Sequence, residues 1–290
     1  MQKSECNQSG APSTNEDDRR PLSWEVRRVF ATAVWELLQR VGKVEFSSTS
    51  QENFAKANEL LLEHSVIMYI NHTSLIPDAA WSIALVLSKL SNLLRVLGPV
   101  AMKHADAFNH PVTAMMLQVP RAMGVELFPV VTRSRINPDG KQYSPEEQKR
   151  RSDRFQDEMK RVVSEVGTLV GIAPQGTRNP EGSLLKALSG IGRWEQFDPD
   201  DNLIYLPVAI ITSKHGQPEM VVGEPLSLNK VLALFGMTKE DLPPEPNKRA
   251  HLIADLQMER LALLMDEKYR GPYGKKKIKQ QIDSPESGMG

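Results

Sequence analysis

One cysteine, Cys6, is the chain's whole complement. It cannot close an internal disulfide or build a thiolate metal site, and nothing here needs an oxidising compartment. Long apolar runs are also missing. Crossing a bilayer takes ~20 apolar residues, and the best candidate, Ala79 to Leu97, is interrupted by Lys89, Asn92 and Arg95. Residues 1–20 are polar, carry Glu16, Asp17 and Asp18, and lack the apolar core of a signal peptide. Net charge is absent too. The 36 Lys and Arg balance 36 Asp and Glu, which argues against nucleic acid as a bulk electrostatic partner. There is no internal repeat, no Gly-x-Ser-x-Gly elbow and no phosphate-binding Gly-rich loop ending in Lys-Ser/Thr. His104 and His110 lack the one-turn spacing that puts two metal ligands on one helix face. The expectation is a cytoplasmic protein that meets any lipid substrate at the membrane surface.

What is present is ample material for a core: 290 residues, 40% hydrophobic and 25% charged. Residues 1–20 read as a disordered tail and 271–290, with Lys275, Lys276, Lys277 and Lys279, as a basic flexible one. Between them, 21–270 reads as one domain: N-terminal helices over 21–64, a core over 65–223 and C-terminal helices over 224–270. Leu22, Val26, Val29, Phe30, Ala33, Leu37 and Val41 fall on one side of a first helix. The pattern predicts further helices near Asn53–His64, Ala79–Leu94, Ala107–Leu117, Ser144–Val166 and Lys248–Glu267. Apolar runs predict strands near Ser65–Asn71, Val96–Met102, Glu126–Thr132, Thr168–Ala173 and Leu203–Ile211, with a shorter one at Glu219–Gly223. Near-continuous apolar strands alternating with helices predict an α/β fold, a mainly parallel sheet flanked by helices on both faces. Ligands then gather at the carboxyl ends of the strands.

The first strand runs into Asn71-His72-Thr-Ser-Leu-Ile-Pro-Asp78. His72 and Asp78 form either a base with its orienting carboxylate or a loop histidine followed by a helix-capping acid. The strand from Thr168 runs into Pro174-Gln175-Gly176-Thr177-Arg178. Gly176 permits close backbone approach, and Thr177 and Arg178 offer donors for a phosphate or carboxylate; an ordinary turn with a solvated arginine is the alternative. Arg133 and Arg135 leave the Glu126 strand either as part of the same anion site or as surface charge.

Taken in order, these residues resemble the glycerol-phosphate and lysophosphatidate acyltransferase superfamily. Its four blocks are matched by His72…Asp78, by Met123-Gly-Val-Glu-Leu-Phe-Pro-Val-Val-Thr-Arg133, by Pro174 to Arg178, and by Ile204-Tyr-Leu-Pro207-Val-Ala-Ile210. Met102-Lys103 and the stretch from Leu184 to Gly190 are similar to its intervening text, so the resemblance covers about Ser65 to Gly223. There are two departures. Five residues rather than four separate His72 from Asp78, a difference that Pro77 can absorb by setting the turn. Gln175 stands where the family has glutamate, which keeps an acceptor, adds two donors and removes a charge.

The resemblance implies a glycerolphosphate-acyltransferase-like fold and transfer of a fatty acyl group. The donor would be acyl-CoA or acyl-carrier protein, and the acceptor hydroxyl that of a lysophospholipid or glycerol phosphate, foremost 1-acylglycerol-3-phosphate. His72 would be the base and Asp78 its orienter. Lys103, Arg133, Gln175, Gly176, Thr177 and Arg178 would bind substrate, and no metal or cofactor beyond the thioester is implied. A non-catalytic lipid-binding or scaffolding member of the same fold is the alternative. The first helix, with Trp24 and Trp35 nearly eclipsed at the edge of its apolar side and Arg28 nearby, is either an interfacial membrane helix or a packing element.

Overall fold

The computed structural model describes residues 24–41, 44–72, 76–101, 120–121, 123–130, 143–177, 179–212 and 218–273. Its helices are α1 (Trp24–Val41), α2 (Ser48–Leu60), α3 (Ile76–Lys89), α4 (Pro145–Ser164), α5 (Leu228–Leu234) and α6 (Pro246–Leu263), and its strands are β1 (Ser65–Ile70), β2 (Arg95–Ala101), β3 (Val125–Val130), β4 (Thr168–Ile172), β5 (Leu203–Thr212), β6 (Pro218–Val222) and β7 (Leu226–Ser227). The expected helix over 107–117 lies outside the described residues.

The strands form one sheet in the order β3-β2-β4-β1-β5-β6, with β7 on β5. The pairs β1–β4, β1–β5, β2–β3 and β2–β4 are parallel, while β6 and β7 run antiparallel to β5. Alternation along each strand sends side chains to two cores. Val66, Met68, Leu169, Ile204, Leu206 and Val208 meet α1, α2 and α3 on one face. Ile67, Tyr69, Val170, Leu203, Tyr205 and Ala209 meet α4, α5 and α6 on the other. Both faces are covered, so the strands read as unbroken apolar runs.

Local chemistry sets the ends. Ser144 caps α4 by accepting from the Glu147 N–H at 3.1 Å, with Pro145 at the first helical position. Ser47 accepts from the Ser50 N–H at 3.2 Å, and α2 starts there rather than at Asn53. Between β4 and β5 the chain makes a 3₁₀ turn over Ile191–Phe197. Gly192 permits this turn to lie against the backbone of Ala250 in α6, where a Cβ would meet the carbonyl oxygen.

The connection from β1 passes through α3, on the face that α3 covers, to β2. That from β4 passes over the opposite face to β5. Neighbouring strands whose chains depart to opposite faces leave a crevice at their carboxyl ends. Here that crevice lies between Ile70 and Ile172.

Candidate functional site

β1 ends its backbone ladder with β5 at Ile70, opposite Val208. The next rung is made by a side chain. Asn71, 1% exposed, donates from Nδ2 to the Ile210 carbonyl and accepts the Ile210 N–H at Oδ1, both at 2.7 Å. A primary amide presents a donor and an acceptor side by side, so it imitates a peptide group. The end of β1 is thereby fixed against β5, and His72 follows immediately.

His72 is half-buried and its backbone is held on both sides. Its N–H donates to Gln175 Oε1 at 3.1 Å, and its carbonyl accepts from the Asn179 N–H at 2.8 Å. The segment leaving β4 is therefore tied to the segment leaving β1 at two points. The turn begins where the Gly176 N–H bonds the Ala173 carbonyl at 3.0 Å, with Gly176 at φ +65, a conformation that disfavours any residue with a Cβ. Asn179 holds the return by donating from Nδ2 to the Ser183 carbonyl at 2.7 Å and to Ser183 Oγ at 2.9 Å.

The loop is braced from the C-terminal side. The Leu184 N–H bonds the Tyr269 carbonyl at 2.8 Å. The Ala187 N–H bonds Tyr273 Oη at 2.9 Å, and that hydroxyl donates to Asp255 Oδ1 at 2.8 Å. Burial pushes the Tyr273 hydroxyl's pKa up, and the Asp255 carboxylate adds to the shift. Beneath β1, Tyr69 donates to Gln257 Oε1 at 2.8 Å, and Arg260 donates to the same oxygen at 3.1 Å and to the Tyr205 carbonyl at 3.4 Å. Burial pushes the Tyr69 hydroxyl up to about 12, with Arg260 pulling the other way, so it stays neutral at physiological pH.

No protein-family model and no curated protein matches this chain. The arrangement of its own residues therefore carries the chemistry.

Four of the expected site residues come together at the crevice: His72, Gln175, Gly176 and Thr177. Asp78 is the third residue of α3, close after His72 in the chain, and its side chain lies outside the described set. Lys103, Arg133 and Arg178 lie outside the described residues, as does Arg135. The strands preceding Lys103 and Arg133 are β2 and β3, whose carboxyl ends face the same edge as those of β1 and β4. Gln175 is 3% exposed, and its Nε2 has no partner among the described residues. Thr177 is exposed and makes no hydrogen bond among the described residues. A buried amide donor without a partner costs ~1–3 kcal/mol, whereas the exposed Thr177 donors are open to an oxygen acceptor.

Asn71 and Asn179 were not singled out from the sequence. An amide that closes an otherwise apolar strand is the signal that could have marked Asn71. Nothing local marks Asn179, because its partner lies more than a hundred residues upstream.

Proposed function

We infer that the chain is an O-acyltransferase of the glycerol-phosphate and lysophosphatidate type, with an acyl thioester as donor and a lipid hydroxyl as acceptor. One observation carries the reading. The His72 segment and the Pro174–Thr177 segment, which resemble two separate family blocks, are tied to each other through Gln175 and Asn179 at the mouth of a parallel sheet.

The chemistry follows from a histidine whose backbone is tied on both sides. His72 takes the proton of the acceptor hydroxyl as its oxygen attacks the thioester carbonyl. The tetrahedral intermediate collapses with loss of the thiolate, which recovers the proton from the imidazolium, so ester and thiol leave and the enzyme is unchanged. Asp78 orients the ring. Lys103, Arg133 and Arg178 hold the acceptor phosphate and turn a loose encounter into an oriented one. Backbone clamping of His72 supports the same end, since a base must stay within hydrogen-bond reach of the proton it takes. The N–H groups of His72, Gly176 and Asn179 are already committed. The donors left exposed for substrate oxygens are thus the Thr177 N–H and hydroxyl. The lipid acceptor places the protein at a membrane surface. Among the described residues no helix is long and apolar enough to cross a membrane.

The neutral Gln175 favours a second reading, a lipid-binding member without catalysis. Incubation with acyl-CoA or acyl-carrier protein and a panel of lysophospholipids and glycerol phosphate, read by mass spectrometry, separates the two. Acyl transfer should occur and be abolished by His72→Ala, with cooperative unfolding and lipid affinity kept. Lipid binding with no product from any donor–acceptor pair would decide for the second reading.

A further inference from the structure

The stretch that braces the crevice loop is basic out of proportion to the chain. Residues 181–188 and 265–279 hold Lys186, Lys268, Arg270, Lys275, Lys276, Lys277 and Lys279 against Glu181, Asp266 and Glu267. Seven cations to three acids leave a surplus of four, in a chain whose formal net charge is zero. On α4, by contrast, Arg150, Arg151 and Arg161 are each ion-paired, and Arg95 of β2 meets Glu126, Glu158 and Glu165. None of Lys186, Lys268 and Arg270 has an ion pair among the described residues. Lys186 and Lys268 are exposed, with Lys268 over the Tyr269 ring at 4.6 Å. Arg270 donates its Nε to the Met265 carbonyl at 2.9 Å, and its terminal nitrogens have no partner among the described residues.

Backbone contacts gather these cations beside the crevice. The Leu184 N–H bonds the Tyr269 carbonyl, and Gly271 lies so close to Leu184 that a Cβ would meet its carbonyl oxygen. Tyr273 Oη accepts from the Ala187 N–H, and the next residue, Leu188, donates its N–H to the Pro174 carbonyl at 2.8 Å. Tyr273 and the turn that begins at Pro174 are thus held by adjacent amides of one loop. From Tyr273 the sequence runs Gly274-Lys-Lys-Lys-Ile-Lys279. Six residues span at most ~22 Å, so the lysine run cannot stray far from that turn.

A concentrated, unpaired positive charge fits a multiply charged anion. Of the residues expected to hold the acceptor's phosphate, Lys103 and Arg133 follow β2 and β3, across β4 from β1. The brace arrives from elsewhere, since Leu184, Ala187 and Tyr273 belong to the core under α6. A thioester borne on a nucleotide carries a diphosphate and a 3′-phosphate, and the acceptor's residues leave both unmatched. A carrier protein would have to lay ~800 Å² of its own surface here, across exposed Glu181, Asp266 and Glu267. Phosphates need only the cations.

We propose that Lys186, Lys268 and Arg270, extended by the lysines of 275–279, bind the phosphates of coenzyme A and so select a nucleotide-borne acyl thioester over a protein-borne one. Delivery of the acyl group from that nucleotide to the hydroxyl at His72 rests on the acyltransferase reading; the binding itself does not.

The test uses the full chain titrated with coenzyme A in a calorimeter. Lys275→Gln, Lys276→Gln, Lys277→Gln and Lys279→Gln together should weaken binding at least ~tenfold, and Lys186→Gln with Lys268→Gln should do so separately. Both losses should shrink in ~0.5 M salt, which screens exposed charge. Glu181→Gln with Glu267→Gln should tighten binding by about twofold or more. Unfolding should stay cooperative in all of them, because Glu181, Lys186, Glu267 and Lys268 are exposed. Unchanged coenzyme A affinity in both lysine variants would overturn the proposal, as would a parent that binds none. Lysine variants that instead lose glycerol 3-phosphate or phosphatidylglycerol vesicles would also overturn it, assigning the surface to the acceptor or to a bilayer. Lysine-dependent coenzyme A binding with no acyl transfer in any assay would support the site and reject the acyltransferase reading. Transfer from acyl-carrier protein alone, undiminished in the variants, would keep that reading and overturn the site.

Discussion

Asn71 commits both halves of its amide to one residue, Ile210, and in doing so fixes where His72 begins. Asn71→Ala would leave the Ile210 N–H and carbonyl without partners at a buried strand end. That should cost ~2–6 kcal/mol at 1–3 per orphaned group, seen as a lower denaturation midpoint with an unchanged denaturant slope. Gln175 makes a different demand. Gln175→Glu keeps the acceptor for the His72 N–H and removes the unpaired donor, so the tie should survive and unfolding stay cooperative. If the crevice takes the phosphate-bearing acceptor proposed, the added charge repels it, and the ranking of acceptors should shift away from the most anionic one in the same mass-spectrometric panel. Of the two positions, only Gln175 was visible in the sequence. The Pro-x-Gly-Thr-Arg spacing marked Gln175 because a glycine turn after an apolar strand is a local signal. The bonds from Gln175 and Asn179 to His72 were not visible, because they cross about a hundred residues and no periodicity records them.

At the scale of the element, α1 carries opposite instructions on its two sides. Trp35 is 1% exposed and packed on Phe46, yet its Nε1–H has no partner among the described residues. Trp35→Ala removes a buried ring and should cost ~3–5 kcal/mol, or roughly 6 °C or more in melting temperature. Trp35→Phe should cost far less, because it also removes the orphaned donor. Periodicity marks an apolar stripe on α1, but it does not say whether a stripe faces the core or the outside. The two tryptophans left the interfacial and packing readings both open, and Trp35 packs inward. The boundaries of α2 slipped for another reason. Ser47 to Ser50 are polar and add nothing to the apolar periodicity, and the capping bond of Ser47 makes them a first turn. The parallel strands were legible because burial on both faces leaves unbroken apolar runs. The antiparallel direction of β6 and β7 was not, since alternation is the same in either sense.

Across the whole molecule, distant parts of the chain meet at the sheet's edge. Glu45 from the α1–α2 connection, Glu219 of β6 and Asp266 beyond α6 lie close enough that Glu219 is raised above its usual carboxylate range, first by burial and then by the two other acids. A carboxyl raised in the fold favours folding when protonated. Its contribution is fully present below the unfolded value of ~4.3 and is lost as pH climbs through the raised folded value. Glu219→Gln should therefore raise the melting temperature at pH 7 by about 1–2 °C, a small gain because the group is partly solvated and screened. The gain should vanish below about pH 4, and thermal melts at both pH values check it. The brace from Tyr273 to the crevice loop spans still more of the chain. Because Ala187 and Leu184 hang on Tyr273 and Tyr269, the carboxyl-terminal stretch and the loop beside His72 open as one local unit. A protease that nicks after Lys268 thus samples the same fluctuation that empties the crevice. The half-life of that cut becomes a clock on occupancy, slowed by whatever molecule the crevice holds.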